Sequence, residues 1–231
     1  MDISPRLEQL ALLVPNGSII ADIGTDHAIL PIYLVEKGFV PRAIAGEINE
    51  KPYRLAWQRV QEKGMEAFIQ VRKGNGLQIL RPGEVNVAII AGMGGRNIID
   101  ILGDYPDVTD SISRFILQPM SESGMLRLLL SRHYFNIVDE ALVKDKGHMY
   151  EVIVAGHGLE PDSGETLISL GPKLVADRHP LLYEHLDVLI LRQRAILAQM
   201  EKMASPSTNN WKRMRRLKTY LKQLEAIREC L

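Results

Sequence analysis

The stretch "ADIGTDHAILP", residues 21–31, decides the fold of this chain of 231 residues. Its first residues end an apolar run that is typical of a buried strand, and "AILP" is typical of the start of a helix. A strand that turns at a glycine into a helix opens the nucleotide-binding α/β folds, whose turns usually carry several glycines. Here Gly24 is followed by Thr25, Asp26 and His27. The stretch is therefore either a ligand-binding turn with altered residues or an ordinary connection between a strand and a helix.

Strands and helices alternate along the first part of the chain. The helical patterns cover residues 4–14, 28–38, 49–64 and 122–132, with Ser4 and Asn49 as expected N-caps. The apolar runs that predict strands cover residues 18–24, 42–48, 68–74, 85–93, 114–120, 134–143 and 148–157. Only the turn "KDKG" separates the last two runs, so they predict a hairpin. We therefore expect a Rossmann-like α/β fold, with a mainly parallel seven-stranded sheet that ends in an antiparallel strand hairpin.

The pattern changes in residues 161–231, where apolar residues recur at alternating spacings of four and three. The first stripe consists of Leu182, Leu186, Leu189, Gln193, Ile196, Met200 and Met203. After the break "SPSTNN", where Asn209 or Asn210 is the expected cap, the second stripe consists of Met214, Leu217, Leu221, Leu224 and Leu231. Two such stripes joined by a short turn predict an antiparallel, coiled-coil-like helical hairpin, although two ordinary helices packed on the main domain are an alternative. We therefore divide the chain into an α/β domain, residues 1–160, and a helical hairpin domain, residues 161–231.

The net charge of zero hides a difference between these two regions. Residues 1–160 hold 16 basic and 20 acidic side chains, whereas residues 161–231 hold 12 and 8. This asymmetry indicates two regions with different tasks, of which the basic one suits a polyanion. Because Cys230 is the only cysteine, no intrachain disulfide can form, which favours a reducing compartment. The sequence shows neither a signal peptide nor an apolar run of membrane-spanning length, so we expect a cytoplasmic protein that does not enter the membrane.

Polar residues and glycines lie at the ends of four successive predicted strands. Asp22 and Gly24 lie at the end of the first strand, Glu47 at the end of the second, "GNGL" (74–77) at the end of the third and "AGMGG" (91–95) at the end of the fourth. The carboxyl ends of parallel strands meet at one edge of a sheet, and ligands of open α/β sheets bind there. Each feature has an ordinary explanation by itself, such as a helix cap or a turn. Their joint occurrence at four strand ends favours a cofactor site.

The charge of Asp26 indicates which cofactor fits. Asp26 stands where the dinucleotide fingerprint has its second glycine, so the pyrophosphate of NAD would meet a carboxylate of like charge. S-adenosylmethionine carries an ammonium and a sulfonium but no phosphate, and therefore suits Asp22 and Asp26 better. Glu47 lies at the distance along the chain from which a carboxylate binds ribose hydroxyls. Asn75 can pair with the edge of an adenine.

These motifs carry a resemblance to a known family. Residues 1–157 resemble the class I S-adenosylmethionine-dependent methyltransferases. The motifs "DIGTDHAILP", "GEINEKP", "GNGL", "AGMGG" and "ILQPM" together resemble the bacterial tRNA (adenine-22-N1)-methyltransferase family, which also carries a C-terminal coiled-coil-like extension. The resemblance implies transfer of a methyl group from S-adenosylmethionine to N1 of adenine 22 in tRNA.

The resemblance also implies roles for single residues. By this resemblance, Asp22, Gly24 and Thr25 are expected to bind the methionine end of the cofactor, and Glu47 is expected to bind the ribose. The residues expected to contact the adenine are Ile48, Asn75 and Gly76. The crevice for methyl transfer is expected along Ala91, Gly92, Met93 and Gly94.

Methyl transfer to N1 of adenine needs little acid–base chemistry, because this nitrogen has a lone pair and no proton. Asp26 is the predicted carboxylate that either stabilises the positive charge left on the base or accepts an amino proton after the transfer. His27 is a titratable neighbour whose alternative role is a backbone-bonded residue at the start of a helix. Gln118, after the fifth predicted strand, can orient the base, or equally satisfy a loop carbonyl.

The last helix carries a cluster of basic residues, of which Lys212, Arg215 and Arg216 are expected on the face opposite the apolar stripe. The six candidates for contact with tRNA phosphates are Lys212, Arg213, Arg215, Arg216, Lys218 and Lys222. A solvated helix face is the alternative explanation of such a cluster. We expect a monomer without a metal ion.

Two other functions remain open from the sequence. The first is a methyltransferase for a small molecule or a protein, with the helical hairpin as a dimerisation element. The second is a non-catalytic adenosine-binding scaffold that acts through its coiled coil. An NAD-dependent oxidoreductase is disfavoured by Asp26.

Overall fold

The computed structural model describes residues 2–202 and 207–231. These residues form two compact units, of which the first ends at Asp162 and the second spans Ser163–Leu231. Met203 of the first predicted stripe lies outside the described residues, as do Ser205 and Pro206 of the predicted break. Within the described residues, no helix combines the length and the apolar character needed to cross a membrane.

The first unit is built on a sheet of seven strands, as predicted. The strands are β1 (Ile19–Ile23), β2 (Arg42–Glu47), β3 (Ile69–Lys73), β4 (Val87–Gly94), β5 (Arg114–Ser121), β6 (Phe135–Asp145) and β7 (His148–His157). Their order in the sheet is β3-β2-β1-β4-β5-β7-β6. The first five strands pair in parallel, and the β6–β7 hairpin joins β5 in antiparallel orientation. The carboxyl ends of β1 to β5 therefore meet at one edge.

Helices cover both faces of this sheet. They are α1 (Pro5–Leu12), α2 (Ile29–Glu36), α3 (Glu50–Glu62), α4 (Gly95–Asp104), α5 (Pro106–Ser111) and α6 (Ser123–Arg132), with a 3₁₀ turn at Gly76–Ile79. One apolar layer contains Leu10 and Val60 from α1 and α3, and the other contains Ile98 and Leu126 from α4 and α6. Because both faces are covered, the sheet meets solvent mainly at its edges, where the polar strand ends lie.

The first and third helices begin where local signals predict. The Ser4 hydroxyl accepts the N–H of Leu7 at 3.4 Å, and Pro5 occupies the first position of α1. Asn49 occupies the N-cap position of α3, as expected, but its side chain makes no capping bond there. Its amide group donates instead to Glu47. The pattern predicted neither α4 nor α5, because their glycines and Pro106 are typical of turns.

A buried ion cluster ties the strand hairpin to α6. Arg127 is fully buried, and its guanidinium meets Glu140 Oε1 at 2.6 Å and Glu151 Oε2 at 2.7 Å. The Ser123 hydroxyl donates to the other oxygen of Glu151 at 2.6 Å. Such a cluster is costly to disrupt, because removal of one partner leaves a buried charge uncompensated. The cluster therefore holds β7, including Tyr150, in a fixed position.

The second unit is helical. It contains α7 (Glu165–Leu170), α8 (Pro172–Ala176), α9 (Leu182–Glu201) and α10 (Thr208–Glu229), of which the short α7 and α8 were not predicted. The ion pairs that join the two long helices include Asp187–Arg228, Arg194–Glu225 and Glu201–Lys218. Residue numbers rise along α9 while the numbers of the partners on α10 fall. The two helices therefore run antiparallel, which confirms the predicted hairpin.

The apolar stripes form the contact between α9 and α10. The buried members are Leu182, Leu186, Met200, Met214, Leu221 and Leu224. Half-buried positions complete the stripes at Leu189, Gln193, Ile196, Leu217 and Leu231. The expected cap at Asn209 or Asn210 is wrong, because α10 begins at Thr208. The Ser207 hydroxyl, one residue before that start, accepts the N–H of Asn210 at 3.3 Å.

Candidate active site

The turn after β1 is tied to the end of β2. The N–H groups of Gly24 and Thr25 donate to the carbonyl oxygen of Gly46 at 2.9 and 2.8 Å. Gly24 has a φ of +76°, and a Cβ at this position would lie 2.3 Å from Cε of Met93 at the end of β4. The positive φ favours glycine here, and the end of the Met93 side chain packs directly over it. The ends of β1, β2 and β4 converge on this residue.

The loop between Gly24 and α2 has a strained backbone. His27 and Ala28 have φ values of 58° and 52°, in the left-handed region that non-glycine residues rarely enter. No side chain caps the start of α2, so neither Asp22 nor Asp26 serves as a helix cap. The His27 ring nitrogen Nε2 lies 3.1 Å from Oδ1 of Asp26, whose side chain is 79% exposed. The loop thus presents the Asp26 carboxylate outward, and strain of this kind is typical of functional loops.

Asp22 is a buried carboxyl group in this turn. Burial raises the pKa of Asp22 from 3.8 to about 6; the bond from Thr25 and the charge of Arg6 lower it, while Asp26 and Glu47 raise it. The Thr25 hydroxyl donates to Asp22 Oδ2 at 2.6 Å. A buried carboxylate in this state is stabilised by a cationic ligand, which makes Asp22 a candidate binding group.

Glu47 ends β2 and is only 8% exposed. Its Oε1 atom accepts two hydrogen bonds from Asn49, at 2.7 Å from the backbone N–H and 2.9 Å from the side-chain amide. These bonds orient the carboxylate at the carboxyl end of the strand. The sequence placed Glu47 at this edge, but not the partner that orients it.

A cavity of about 330 Å³ opens beside Gly24 and is called the first cavity below. The predicted residues that line it are Gly24, Ile48, Asn75, Gly76 and Met93. One face of α4 completes the wall with Asn97, Asp100, Ile101 and Asp104, which sequence analysis missed. The available signal was their helical spacing of three and four residues after a glycine-rich turn.

A second cavity, of about 260 Å³, lies on the other side of Gly24. The predicted residues that line it are Asp22, Gly24, Asp26, Ala91 and Gly92. Arg6 of α1 also lines it, and sequence analysis did not single this residue out. Because Gly24 belongs to both walls, the two cavities adjoin and together form one crevice at the carboxyl edge of the sheet.

Gln118 and Gly94 lie behind the crevice wall. Gln118 is fully buried; its Oε1 accepts from Arg6 Nη1 at 2.7 Å, and its Nε2 donates to the carbonyl oxygen of Pro119 at 3.0 Å. Gln118 is therefore connected to the second cavity through Arg6. Gly94 precedes α4, where a Cβ at Gly95 would lie 2.8 Å from the carbonyl oxygen of Glu122. Gly95 thus permits close packing of backbone on backbone, not the approach of a ligand.

The six basic candidates on α10 are all exposed. Three of them, Arg215, Lys218 and Lys222, line a shallow groove of about 210 Å³ together with Trp211. The indole of Trp211 is 60% exposed, and sequence analysis missed it. Lys218 also pairs with Glu201 at 2.7 Å. Among the described residues, no group of three or more His, Cys, Asp or Glu side chains is arranged to hold a metal ion.

Comparisons with known proteins agree with this architecture. Residues 3–153 match the family described as a methyltransferase domain. The tRNA (adenine(22)-N(1))-methyltransferase of Bacillus subtilis is 33% identical over 100% of this chain and 98% of its own length. The crystal structure of the B. subtilis M1A22 tRNA methyltransferase TrmK superposes with a TM-score of 0.89 at 32% identity and covers 98% of both chains.

A further solved structure is similar over the same extent. Sp1610 of Streptococcus pneumoniae, solved in complex with S-adenosyl-L-methionine, has a TM-score of 0.86 at 33% identity, with 98% of this chain and 99% of that chain covered. The similarity thus includes the sheet, its crevice and the helical hairpin. The chain therefore belongs to the tRNA (adenine(22)-N(1))-methyltransferase family of the methyltransferase-domain proteins.

Proposed function

We propose that this protein transfers a methyl group from S-adenosylmethionine to N1 of adenine 22 in tRNA. The observation that carries the proposal is the crevice at the carboxyl edge of the sheet, with its acidic residues and its two cavities that meet at Gly24. Similarity over the full length to a curated tRNA (adenine(22)-N(1))-methyltransferase supports the same substrate.

The residues of the crevice fit the cofactor. A Cβ would lie 2.3 Å from Met93 Cε at Gly24 and 2.2 Å from Ile79 Cδ1 at Gly46, so the ends of these side chains pack directly against bare backbone. These glycines keep the backbone low beneath a ligand, as nucleotide-binding turns require. The charged side chains among the described residues that line the two cavities are those of Asp22, Asp26, Asp100, Asp104 and Arg6. This mainly acidic lining suits a cofactor with an ammonium, a sulfonium and two ribose hydroxyls.

We assign the adenosine part of the cofactor to the first cavity. Glu47 holds the ribose hydroxyls with the carboxylate that Asn49 orients. Ile48, which is 53% exposed, packs against the adenine, and Asn75 with Gly76 borders its amino group. An exposed apolar side chain at the rim of a cavity is stabilised when a ring covers it, which supports this role for Ile48.

The methionine part is assigned to the second cavity. Asp22 binds the ammonium, and Thr25 fixes the orientation of Asp22 through the bond of 2.6 Å. Because Asp22 has a pKa of about 6, it is mostly ionised at neutral pH, and a bound cation would stabilise that form. The adjoining strand end, Ala91 to Gly94, borders the path of methyl transfer.

The chemistry that we propose asks the protein mainly for placement. The bound cofactor supplies the methyl group on a sulfonium centre. The crevice wall must hold N1 of the adenine in line with that methyl group, which removes most of the entropic cost of reaction. Asp26, oriented by His27 at 3.1 Å, stabilises the positive charge that the base acquires. Gln118 acts from behind the wall by fixing Arg6.

The basic residues of α10 are proposed to contact tRNA phosphates. The groove with Trp211 adds an exposed ring on which an unpaired base can stack. The adenine must leave its stack to enter the crevice, which costs a few kcal/mol that such contacts offset. We also propose that the protein acts as a monomer in the cytoplasm, where its substrate is found.

Methylation of defined transcripts tests the proposed function. The full-length protein is incubated with S-adenosylmethionine and an unmodified tRNA that has adenine at position 22, or with the same tRNA carrying guanine there. We expect 1-methyladenosine in the first transcript only, mapped by nucleoside digestion. Methylation at another position, or equal methylation of both transcripts, would contradict the assignment. Binding of S-adenosylmethionine without any transfer to tRNA would favour a small-molecule or protein substrate, or a scaffold role.

A further inference from the structure

The second cavity contains one cation to which the proposed function assigns no ligand. Its wall carries the carboxylates of Asp22 and Asp26, and Arg6 is the positively charged residue among those that line it in the described part of the chain. Arg6 belongs to α1 and is half-buried. The positive charge of Arg6 lowers the pKa of Asp22, so the guanidinium lies close enough to this carboxyl group to interact with it.

Contacts with Gln118 and Tyr150 hold the Arg6 guanidinium in place. Its Nη1 donates to Gln118 Oε1 at 2.7 Å, and its Cζ lies 5.6 Å from the centre of the Tyr150 ring. At Gly92, a Cβ would lie 3.8 Å from the same Nη1. The guanidinium is thus fixed at the ends of β4 and β5 by a fully buried amide and an aromatic face. The bond to Gln118 uses one of its five N–H groups.

The methionine end of S-adenosylmethionine carries both an ammonium and a carboxylate. Asp22 accounts for the ammonium, whereas a carboxylate beside Asp22 and Asp26 needs a nearby cation. We propose that Arg6 binds the carboxylate of the cofactor and thereby sets the orientation of its methionine end. This inference rests on the proposed function and concerns the same site. A planar guanidinium matches a carboxylate in geometry and charge, and Gln118 and Tyr150 pre-organise it.

The ratio of the affinities for two ligands tests this role, because a loss of folded protein weakens the binding of both ligands and does not change their ratio. Decarboxylated S-adenosylmethionine keeps the ammonium and the sulfonium and lacks only the carboxylate. Calorimetry on the full-length protein compares the dissociation constants of the two ligands. The parent protein is expected to prefer S-adenosylmethionine by about 10- to 100-fold, the effect of a charge-assisted hydrogen bond. In Arg6→Gln the preference is expected to disappear, with little change for the decarboxylated ligand.

Two further variants make the test independent of stability. Arg6→Lys keeps the charge but not the planar fork, so its preference is expected to lie between those of the parent and Arg6→Gln. Arg42→Gln removes an exposed arginine at the amino end of β2 and is expected to keep the full preference. A parent protein that binds both ligands equally, or an Arg6→Gln variant that keeps the preference, overturns the inference. A parent that binds neither ligand overturns the proposed function itself.

Discussion

The crevice of the first unit and the basic face of α10 in the second unit hold their charges differently. Asp22 in the crevice is 7% exposed, Glu47 between the cavity-lining residues Gly46 and Ile48 is 8% exposed, and neighbouring side chains fix both through hydrogen bonds. On α10 the six basic side chains are exposed. Buried charge is costly without a matching partner, so the crevice suits one ligand of complementary charge. Exposed charge costs little and attracts any polyanion, so substrate contact there depends on total charge and shape.

The largest effect is expected from the buried carboxyl group of Asp22. Asp22→Asn removes the negative charge at nearly constant volume, and we expect cofactor affinity to fall by about 3 kcal/mol, because the ammonium loses a charge-assisted hydrogen bond in a buried site. Calorimetry with S-adenosylmethionine measures this loss. An affinity equal to that of the parent would place Asp22 outside the binding site and would remove the main contrast between the two regions.

The pH dependence of the same residue has a defined sign. Its pKa in the folded state, about 6, lies above 3.8, so ionisation of Asp22 lowers stability as pH rises through about 6 and costs nothing below about 4. Asp22→Asn is therefore expected to raise the melting temperature at about pH 8 and to leave it nearly unchanged at about pH 4.

The ionisation of Asp22 also affects cofactor binding. The affinity of the parent for the cofactor is expected to weaken as pH falls below about 6, and Thr25→Val should move the midpoint of this pH dependence upward. A midpoint unaffected by Thr25→Val would contradict the hydrogen bond to Asp22.

Two glycines of α4 differ in their surroundings, because Gly95 packs against backbone and Gly103 faces open space. A Cβ at Gly95 would lie 2.8 Å from the carbonyl oxygen of Glu122, whereas a Cβ at Gly103 meets no atom within 4 Å. Gly95→Ala is expected to lower the free energy of unfolding by about 2–3 kcal/mol, because backbone must move. Gly103→Ala is the matched control and is expected to raise it by about 0.5–1 kcal/mol. Urea denaturation measures both values, and equal effects would show that the crevice wall is not fixed by this contact.

Glu47 tests the ribose contact of the first cavity. Glu47→Ala is expected to cost about 1.5–3 kcal/mol of cofactor binding, through loss of a bidentate charged hydrogen bond. Glu50→Ala is the control, because Glu50 is a nearby exposed carboxylate that pairs with Arg54 and Lys73. The dissociation constants of the two variants for S-adenosylmethionine provide the comparison. If both variants lose affinity equally, the general negative charge at the end of β2 matters and the specific contact does not.

The smallest effects per residue are expected on α10. Substitution of Lys212, Arg215 and Arg216 by glutamine is expected to spare cofactor affinity. It should flatten the salt dependence of tRNA binding by about 0.7–0.9 of log–log slope for each phosphate that the variant no longer binds. Arg194→Gln, which removes an exposed arginine of α9 paired with Glu225, is the control and should leave the slope unchanged. An unchanged slope in the triple variant would make the basic residues an ordinary solvated surface.

The sequence was sufficient where a feature depends on neighbouring residues. The strand, turn and helix around Gly24 are local, and the strand ends at Asp22, Glu47 and Asn75 meet because parallel strands align their carboxyl ends. The antiparallel hairpin of α9 and α10 followed from apolar spacing alone. These predictions needed only periodicity and the position of glycines.

The sequence was insufficient where a residue acts through distant partners. Arg6 and Gln118 are 112 positions apart, and no local pattern joins them. The residues of α4 that line the first cavity were missed because the glycines at its start are typical of turns, so no helix was predicted there. Capping bonds are hard to predict for a related reason, since the N-cap residue Asn49 bonds to Glu47 and Ser207 takes the place expected for Asn209 or Asn210. Short polar side chains choose among several nearby groups, and the tertiary structure decides between them.

The division of tasks between the two units is the central claim, and a shortened chain that ends at Asp162 tests it most directly. Calorimetry measures its affinity for S-adenosylmethionine, and a methylation assay measures its activity on tRNA beside the full chain. We predict unchanged cofactor affinity with strongly reduced methylation, because the crevice lies wholly before that residue and the basic face of α10 lies after it. Full activity of the shortened chain on tRNA, or loss of cofactor binding in a folded fragment, would contradict the claim.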